Sequence, residues 1–209
     1  EGFSQGNLTY QEPPSKIKEL VDAPLAPSVL MDSKAEKVIL RYRDAFKSIE
    51  ELSEKEMRLF MLMINPKTNI GSRTNYSNNI KIKDAYSKEI SDITGLPAKP
   101  RLSNFSWSPD EKMMSFMHTT SDGVEVWLLN ISDGRAKKLT DANVNANMRS
   151  AVSWFADSKS LLVKMLPKNR KPLINTAEAV PQGPTVSVSS GAKAQNRTYQ
   201  DLLKNPSDE

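Results

Sequence analysis

The sequence predicts an all-β protein made of repeated antiparallel meanders, and three observations predict it. Short runs of β-branched, aromatic and other apolar residues alternate with Asp-Gly and Asn-Pro turn signals. The stretch "SWSPDEKMMSFMHTTSDGVEVWLLNISDGRAKKLTD" (Ser106 to Asp141) reads as strands joined by tight turns. Its opening phrase returns as "SWFADSKSLLVKML" from Ser153, which sets Trp107 and Trp154 47 residues apart. A period of roughly 40–50 residues is that of a β-propeller blade, a four-stranded sheet whose faces are covered only by its neighbours. The expected fold is therefore a partial β-propeller of about three antiparallel blades. An extended N-terminal arm and short inserted helices complete it. The arm and a first helix take residues 1–27 and the blades 28–166. Residues 167–209 are a Pro-rich loop and the start of a further blade or element.

The elements follow in chain order. "EGFSQGNLTYQEPP" reads as an extended arm. Ser15 is placed to cap a short helix through Val21, with Ile17, Leu20 and Val21 on one side. Pro24 and Pro27 then stop it. "SVLMDSKAEK" (Ser28 to Lys37) resembles a diverged earlier start of the repeated unit. "KVILRYR" (Lys37 to Arg43) and the apolar run "MRLFMLMINP" (Met57 to Pro66) read as strands. Between them "SIEELSEKE" has helical spacing, with Ile49 and Leu52 on one side. "NNIKIKDAYSKEISDITGLP" alternates at Ile80 and Ile82 before turning. "KMMSFMH" is a strand, Asp122-Gly123 a hairpin turn that uses the freedom of glycine at positive φ, and "VEVWLLN" the next strand. Val124, Val126 and Leu128 share one face, and Trp127 and Leu129 the other, so this strand is expected to be covered on both sides. Asp133-Gly134 makes the following turn. After Leu166, "PKNRKPLINTAEAVPQGPTVSVSSGAKAQNRTYQ" holds four prolines and no core pattern, as a surface-wrapping loop would.

Composition bounds the chemistry. The 209 residues are 38% hydrophobic and 26% charged, with 29 Lys and Arg against 25 Asp and Glu. The charges are interspersed rather than blocked, which argues against a nucleic-acid partner. No apolar run reaches membrane-spanning length. There is no cysteine and one histidine, His118, so thiol catalysis, disulfides and multi-histidine metal sites are excluded. No cofactor is expected. The opening segment suits a mature end left after signal removal, and a periplasmic or secreted location is the expectation.

Several ordered phrases resemble the amino-terminal part of prolyl-oligopeptidase-type serine peptidases, glutamyl-endopeptidase-like branch. They are "YQEPPSKIKELVDAPLAPSV" (Tyr10 to Val29), "ELSEKEMRLFMLMINPKTNIGSR" (Glu51 to Arg73), "ITGLP" (Ile93 to Pro97), "SWSPDEK" (Ser106 to Lys112), "LTDANVNA" (Leu139 to Ala146), "WFADSKSLLVK" (Trp154 to Lys164) and "RTYQDLLKNPSDE" (Arg197 to Glu209). "SWSPD" alone is common to many propellers, whereas the ordered series is specific. The resemblance implies a propeller that precedes an α/β-hydrolase domain and limits access to a Ser-Asp-His triad there. It implies cleavage of peptide bonds, after Glu in this branch. Its implied partners are the rest of the propeller, the hydrolase domain and peptide substrates. The chain would be a fragment, inactive by itself. The alternatives are a non-enzymatic TolB-like scaffold or binding module, and a small independent enzyme using Ser4 and His118.

No residue of this chain is assigned a catalytic, cofactor-binding or metal role. "GFSQG" (Gly2 to Gly6) has the letters of a nucleophile elbow, but no strand precedes it to thrust Ser4 over a sheet. His118 sits at a strand end, where a solvent-facing or hydrogen-bonded histidine is the simpler reading. Glu50-Glu51 resembles the acidic pair with which dipeptidyl peptidases of the same clan hold a substrate amino terminus, set against a solvated helix face. "GRAKK" (Gly134 to Lys138) and "KNRK" (Lys168 to Lys171) are basic patches suited to steering acidic peptides or simply to solubility. Trp107, Trp127 and Trp154 read as core packing. The sequons at Asn7, Asn75, Asn104, Asn130 and Asn196 are read mostly as chance matches, Asn104 because it falls beside a core strand.

Overall fold

The computed structural model describes residues 12–147, 150–171 and 191. In chain order, α1 (Ser15–Val21) precedes β1 (Ser28–Met31) and β2 (Lys37–Tyr42). An insert follows, made of α2 (Ile49–Ser53), β3 (Met57–Leu59), β4 (Leu62–Asn65) and β5 (Ile70–Gly71). The chain then runs through β6 (Asn79–Asp84), β7 (Ile90–Asp92), β8 (Leu102–Trp107), β9 (Met113–Thr119), β10 (Val124–Asn130), β11 (Arg135–Lys138), β12 (Val152–Trp154) and β13 (Leu161–Val163). Two four-stranded antiparallel sheets result, β1-β2-β6-β7 and β8-β9-β10-β11, with a pair β12-β13 and a three-stranded β3-β4-β5. The fold described is thus all-β with two short helices.

The first sheet is a meander despite the insert, because β2 and β6 pair directly with Tyr42 opposite Asn79. The hairpins β1-β2, β8-β9 and β12-β13 share one turn geometry. In each, a non-glycine residue adopts positive φ: Ala35 at 55°, Glu111 at 57° and Ser158 at 56°. In each, that residue's N–H donates to the carbonyl three residues back: Ala35 to Asp32, Glu111 to Ser108, Ser158 to Phe155. The repetition read from "SVLMDSKAEK", "SWSPDEK" and "SWFADSK" is therefore present as geometry. Neighbouring turns also touch. The Ser33 N–H and hydroxyl donate to the Glu111 carboxylate at 2.7 and 2.8 Å. The Asp110 N–H donates to Ser158 Oγ at 3.0 Å.

The core has two layers, one on each face of the second sheet. Ile39, Ile80 and Ile82 of the first sheet pack against Leu102, Met114, Phe116 and Leu129 of the second. Met117, Val124 and Val126, on its other face, pack against Ile70, Val144, Ala151 and Val152. Phe116, Met114, Val124, Val126 and Leu129 are fully buried, each contributing about 1.5–3 kcal/mol of transfer free energy. Phe116 stacks between Phe105 and Trp127, with ring centroids at 5.7 and 6.4 Å. The apolar alternation on both faces of β10 thus has its expected cause. The outer faces of the stack are less covered: Val29 and Met31 are about half exposed on one side and Leu162 is 60% exposed on the other.

Three local expectations are corrected. Ser15 does not cap α1; the cap position is Pro14 and Ser15 is the first helical residue, with no side-chain cap bond. The run Met57 to Pro66 is a hairpin rather than one strand, because Phe60 takes a positive φ of 56° and folds β4 back on β3. Gly123 is needed for proximity and not for positive φ: a Cβ there would lie 2.0 Å from the Ala142 carbonyl oxygen. Gly134, with φ of 62°, does use left-handed freedom. The arm through residue 11, Ser4 included, and nearly all of the Pro-rich segment after Lys171 lie outside the described residues.

Candidate functional site

Loops at one end of the sheets surround a cavity of about 1390 Å³. Its wall is built from the segment after β2, α2, the turn after β4, the approaches to β6 and β8, and the β9-β10 turn. Helix α2 forms there because Ser48 caps it, its Oγ accepting from the Glu51 N–H at 3.1 Å. No residue of α2 is buried; Ile49 and Leu52 are 85% and 70% exposed. Polar contacts therefore hold the helix against the cavity. Arg101, entering β8, reaches across with Nη1 at 2.8 Å from Glu54 Oε1 and Nη2 at 3.8 Å from Glu51 Oε1. Asn65 Nδ2 donates to Glu54 Oε2 at 2.7 Å. The Arg101 guanidinium lies over the Tyr76 ring, 4.5 Å from its centroid, in cation–π contact.

Burial sets the electrostatics of this cluster. It raises the Tyr76 phenol above its ordinary value. It also opposes charge on Arg101, but contact with Glu54 and the neighbouring Tyr76 and Glu51 outweigh it, and the guanidinium is held charged more firmly than usual. The Arg101 Nε is buried without a hydrogen-bond partner.

His118 also lines the cavity, at the end of β9. Only 7% exposed, it faces Glu125 across the hairpin, Nδ1 to Oε2 at 3.2 Å. The same oxygen accepts from Trp127 Nε1 at 2.9 Å, and Lys138 Nζ lies 3.3 Å from Oε1. Burial would raise the Glu125 carboxyl, but the bonds from Trp127, His118 and Lys138 prevail and hold it below the usual carboxylate range. An ionised carboxylate only accepts, so His118 Nδ1 carries the shared hydrogen.

The structure sorts the other candidates. Glu50 and Glu51 both line the cavity, but Glu51 is turned to Arg101 and is not half of a free carboxylate pair. Of the basic patches, Lys138 is committed to Glu125 and Lys168 to Lys171 are exposed; neither patch lines the cavity. Trp107 and Trp127 pack on the first core layer. Trp154 Nε1 donates to the Ser106 carbonyl at 3.2 Å, joining β12 to β8. Asn104 is exposed, at a bulge of β8 with φ of 52°, and Asn75 is exposed as well. The Asn130 side chain accepts from the Ser132 N–H and hydroxyl at 3.0 and 2.8 Å. Asn7 and Asn196 lie outside the described residues. Among the described residues no group of three or more His, Asp or Glu is arranged to hold a metal, and no helix is long and apolar enough to cross a membrane.

Sequence reasoning passed over Arg101, Tyr76, Glu54 and Asn65. They are spread over 47 residues of chain, and only the fold joins them. The one local signal is Pro100-Arg101 at the entry to a strand, which places a long cation at a sheet edge.

Comparison with known proteins bears on the whole chain. No family model matches it. It is similar to a probable chloroplastic glutamyl endopeptidase of Arabidopsis thaliana, 30% identical over 217 residues, which covers 95% of this chain and 22% of that protein. It is also similar to the protein of the same description from Oryza sativa subsp. japonica, 28% identical over 225 residues, covering 99% of this chain and 23% of that protein. The chain thus spans less than a quarter of the length of the curated relatives it matches, and the likeness is to peptidase-related proteins.

Proposed function

We propose that this chain is the amino-terminal, substrate-selecting propeller region of a serine peptidase that cuts peptide bonds after Glu, with the reactive serine beyond residue 209. The observation that carries the reading is the extent of the likeness: nearly the whole chain aligns with under a quarter of proteins described as glutamyl endopeptidases. The stacking supports it. Two successive four-stranded meanders bury their facing surfaces, a third pair begins on the far side, and apolar residues stay exposed on both outer faces. Further sheets of the same kind would cover Val29 and Met31 at one end and Leu162 at the other. In this reading the cavity beside Arg101 lies on the route of peptides to the hydrolase domain.

The test is made on the full-length protein. A fluorophosphonate probe is expected to label one serine beyond Glu209, and blocked peptides are expected to be cut after Glu in preference to Gln. The isolated 1–209 chain is expected to show neither activity. A full-length protein that takes no label and cuts no peptide would end the proposal.

A further inference from the structure

Of the two guanidinium groups that line the cavity, that of Arg101 has its two ends unequally occupied. Arg101 Nη1 sits at contact distance from Glu54, 2.8 Å, whereas Nη2 is 3.8 Å from Glu51. The second separation is beyond hydrogen-bond length, so Glu51 is a counter-ion without a bond. The Arg101 side chain is 26% exposed, and its face is fixed over Tyr76. It is therefore a pre-oriented, half-desolvated fork with one free edge, the geometry that recognises a carboxylate. The wider lining agrees. Six cationic side chains face four carboxylates around the cavity, and Arg43, Lys55 and Lys99 among the cations are exposed. Such an excess concentrates anions in a concave site.

We propose that the cavity binds a carboxylate-bearing peptide on the Nη2 edge of Arg101, with Glu51 as the resident group that the incoming carboxylate replaces. The inference rests on the peptide reading above and adds the residue that reads the ligand. Glu51 is suited to yielding. It rides on a helix with no buried residue, and its loss from Arg101 leaves the Glu54 and Asn65 contacts of that helix in place. The carboxylate has two sources in a peptide, an acidic side chain or the free C-terminus.

Binding to the full-length protein distinguishes them. Three short peptides with N-methylated, uncuttable bonds serve as probes. One carries Glu and an amidated C-terminus, one carries Gln and a free C-terminus, and one carries Gln and an amidated C-terminus. At least one carboxylate peptide is expected to bind about 10-fold more tightly than the neutral peptide, the worth of one charge-assisted contact; which one identifies the source. Glu51→Gln is expected to tighten that peptide several-fold, since a competitor is removed. Arg101→Gln is expected to bring it level with the neutral peptide. Arg101→Lys, which keeps the charge but not the fork, is expected to retain part of the preference and covers the case in which Arg101→Gln fails to fold. Equal binding of all three peptides, no binding, or weaker carboxylate binding in Glu51→Gln would overturn the inference. Cleavage of Glu peptides by the full-length protein is read separately, so the peptidase reading can stand when this one falls.

Discussion

At the scale of single residues the most consequential is Glu125, a carboxylate 9% exposed that gathers His118, Trp127 and Lys138. Replacing it by Gln leaves buried donors competing for one acceptor oxygen. Glu125→Gln is expected to cost roughly 1–3 kcal/mol in urea unfolding. The pH dependence has a definite sign. The folded carboxyl titrates below its unfolded value, so its contribution is fully present above the unfolded pKa. It is lost as pH falls from there through the folded pKa. Melting curves below pH 5 should flatten in Glu125→Gln relative to the parent protein, and an unchanged acid slope would refute the assignment. This network was not legible in advance. A two-residue turn at Asp122-Gly123 would set Ser121 opposite Val124, whereas the loop spans 120–123 and pairs Thr119 with Val124, which brings His118 opposite Glu125. Coverage of β10 on both faces was expected from Trp127 and Leu129; what the single charged letter does not reveal is that Glu125 is itself buried there, bonded to Trp127 and Lys138. Arg101 was not legible, because its partners Glu51, Glu54 and Tyr76 lie far off in sequence and no periodicity connects them.

The elements show where local chemistry speaks plainly and where it is overruled. The β1-β2, β8-β9 and β12-β13 hairpins were readable from their related turn phrases, although each places a side chain at positive φ where glycine would be easier. Ala35 makes no compensating side-chain bond, unlike Glu111, which holds Ser33. Left-handed backbone costs a non-glycine residue about 1–2 kcal/mol, and glycine returns roughly 0.4–1 kcal/mol of that through unfolded-state entropy. Ala35→Gly is therefore expected to stabilise by about 0.5 kcal/mol, read as a small rise in Tm; a clear fall would show the turn to be unstrained. Gly123→Ala has the opposite expectation. Its methyl would strike the Ala142 backbone, and a loss of about 1–3 kcal/mol follows from overpacking. Met57 to Pro66 misled as a strand because hydrophobicity is continuous through the bend, and Phe60 and Met61 lack the usual turn letters.

Across the whole molecule, stability should be graded by coverage. The second sheet has core on both faces, while α1 and α2 bury no residue. Hydrogen exchange is expected to be slowest at β9 and β10 and fastest in the two helices; uniform protection would contradict the layered description. The insert raises a different point. It departs after Tyr42 and returns at Asn79, residues that stand opposite one another in the ladder. Ile70 ties the far end of this detour to the second core layer, but the α2 portion, which buries no residue, can grow, shrink or change its composition without shifting the register of the β2-β6 ladder. The cavity wall contributed by α2 is therefore a place where lineages, or a designer grafting a new loop, can retune what enters while the underlying framework is inherited intact.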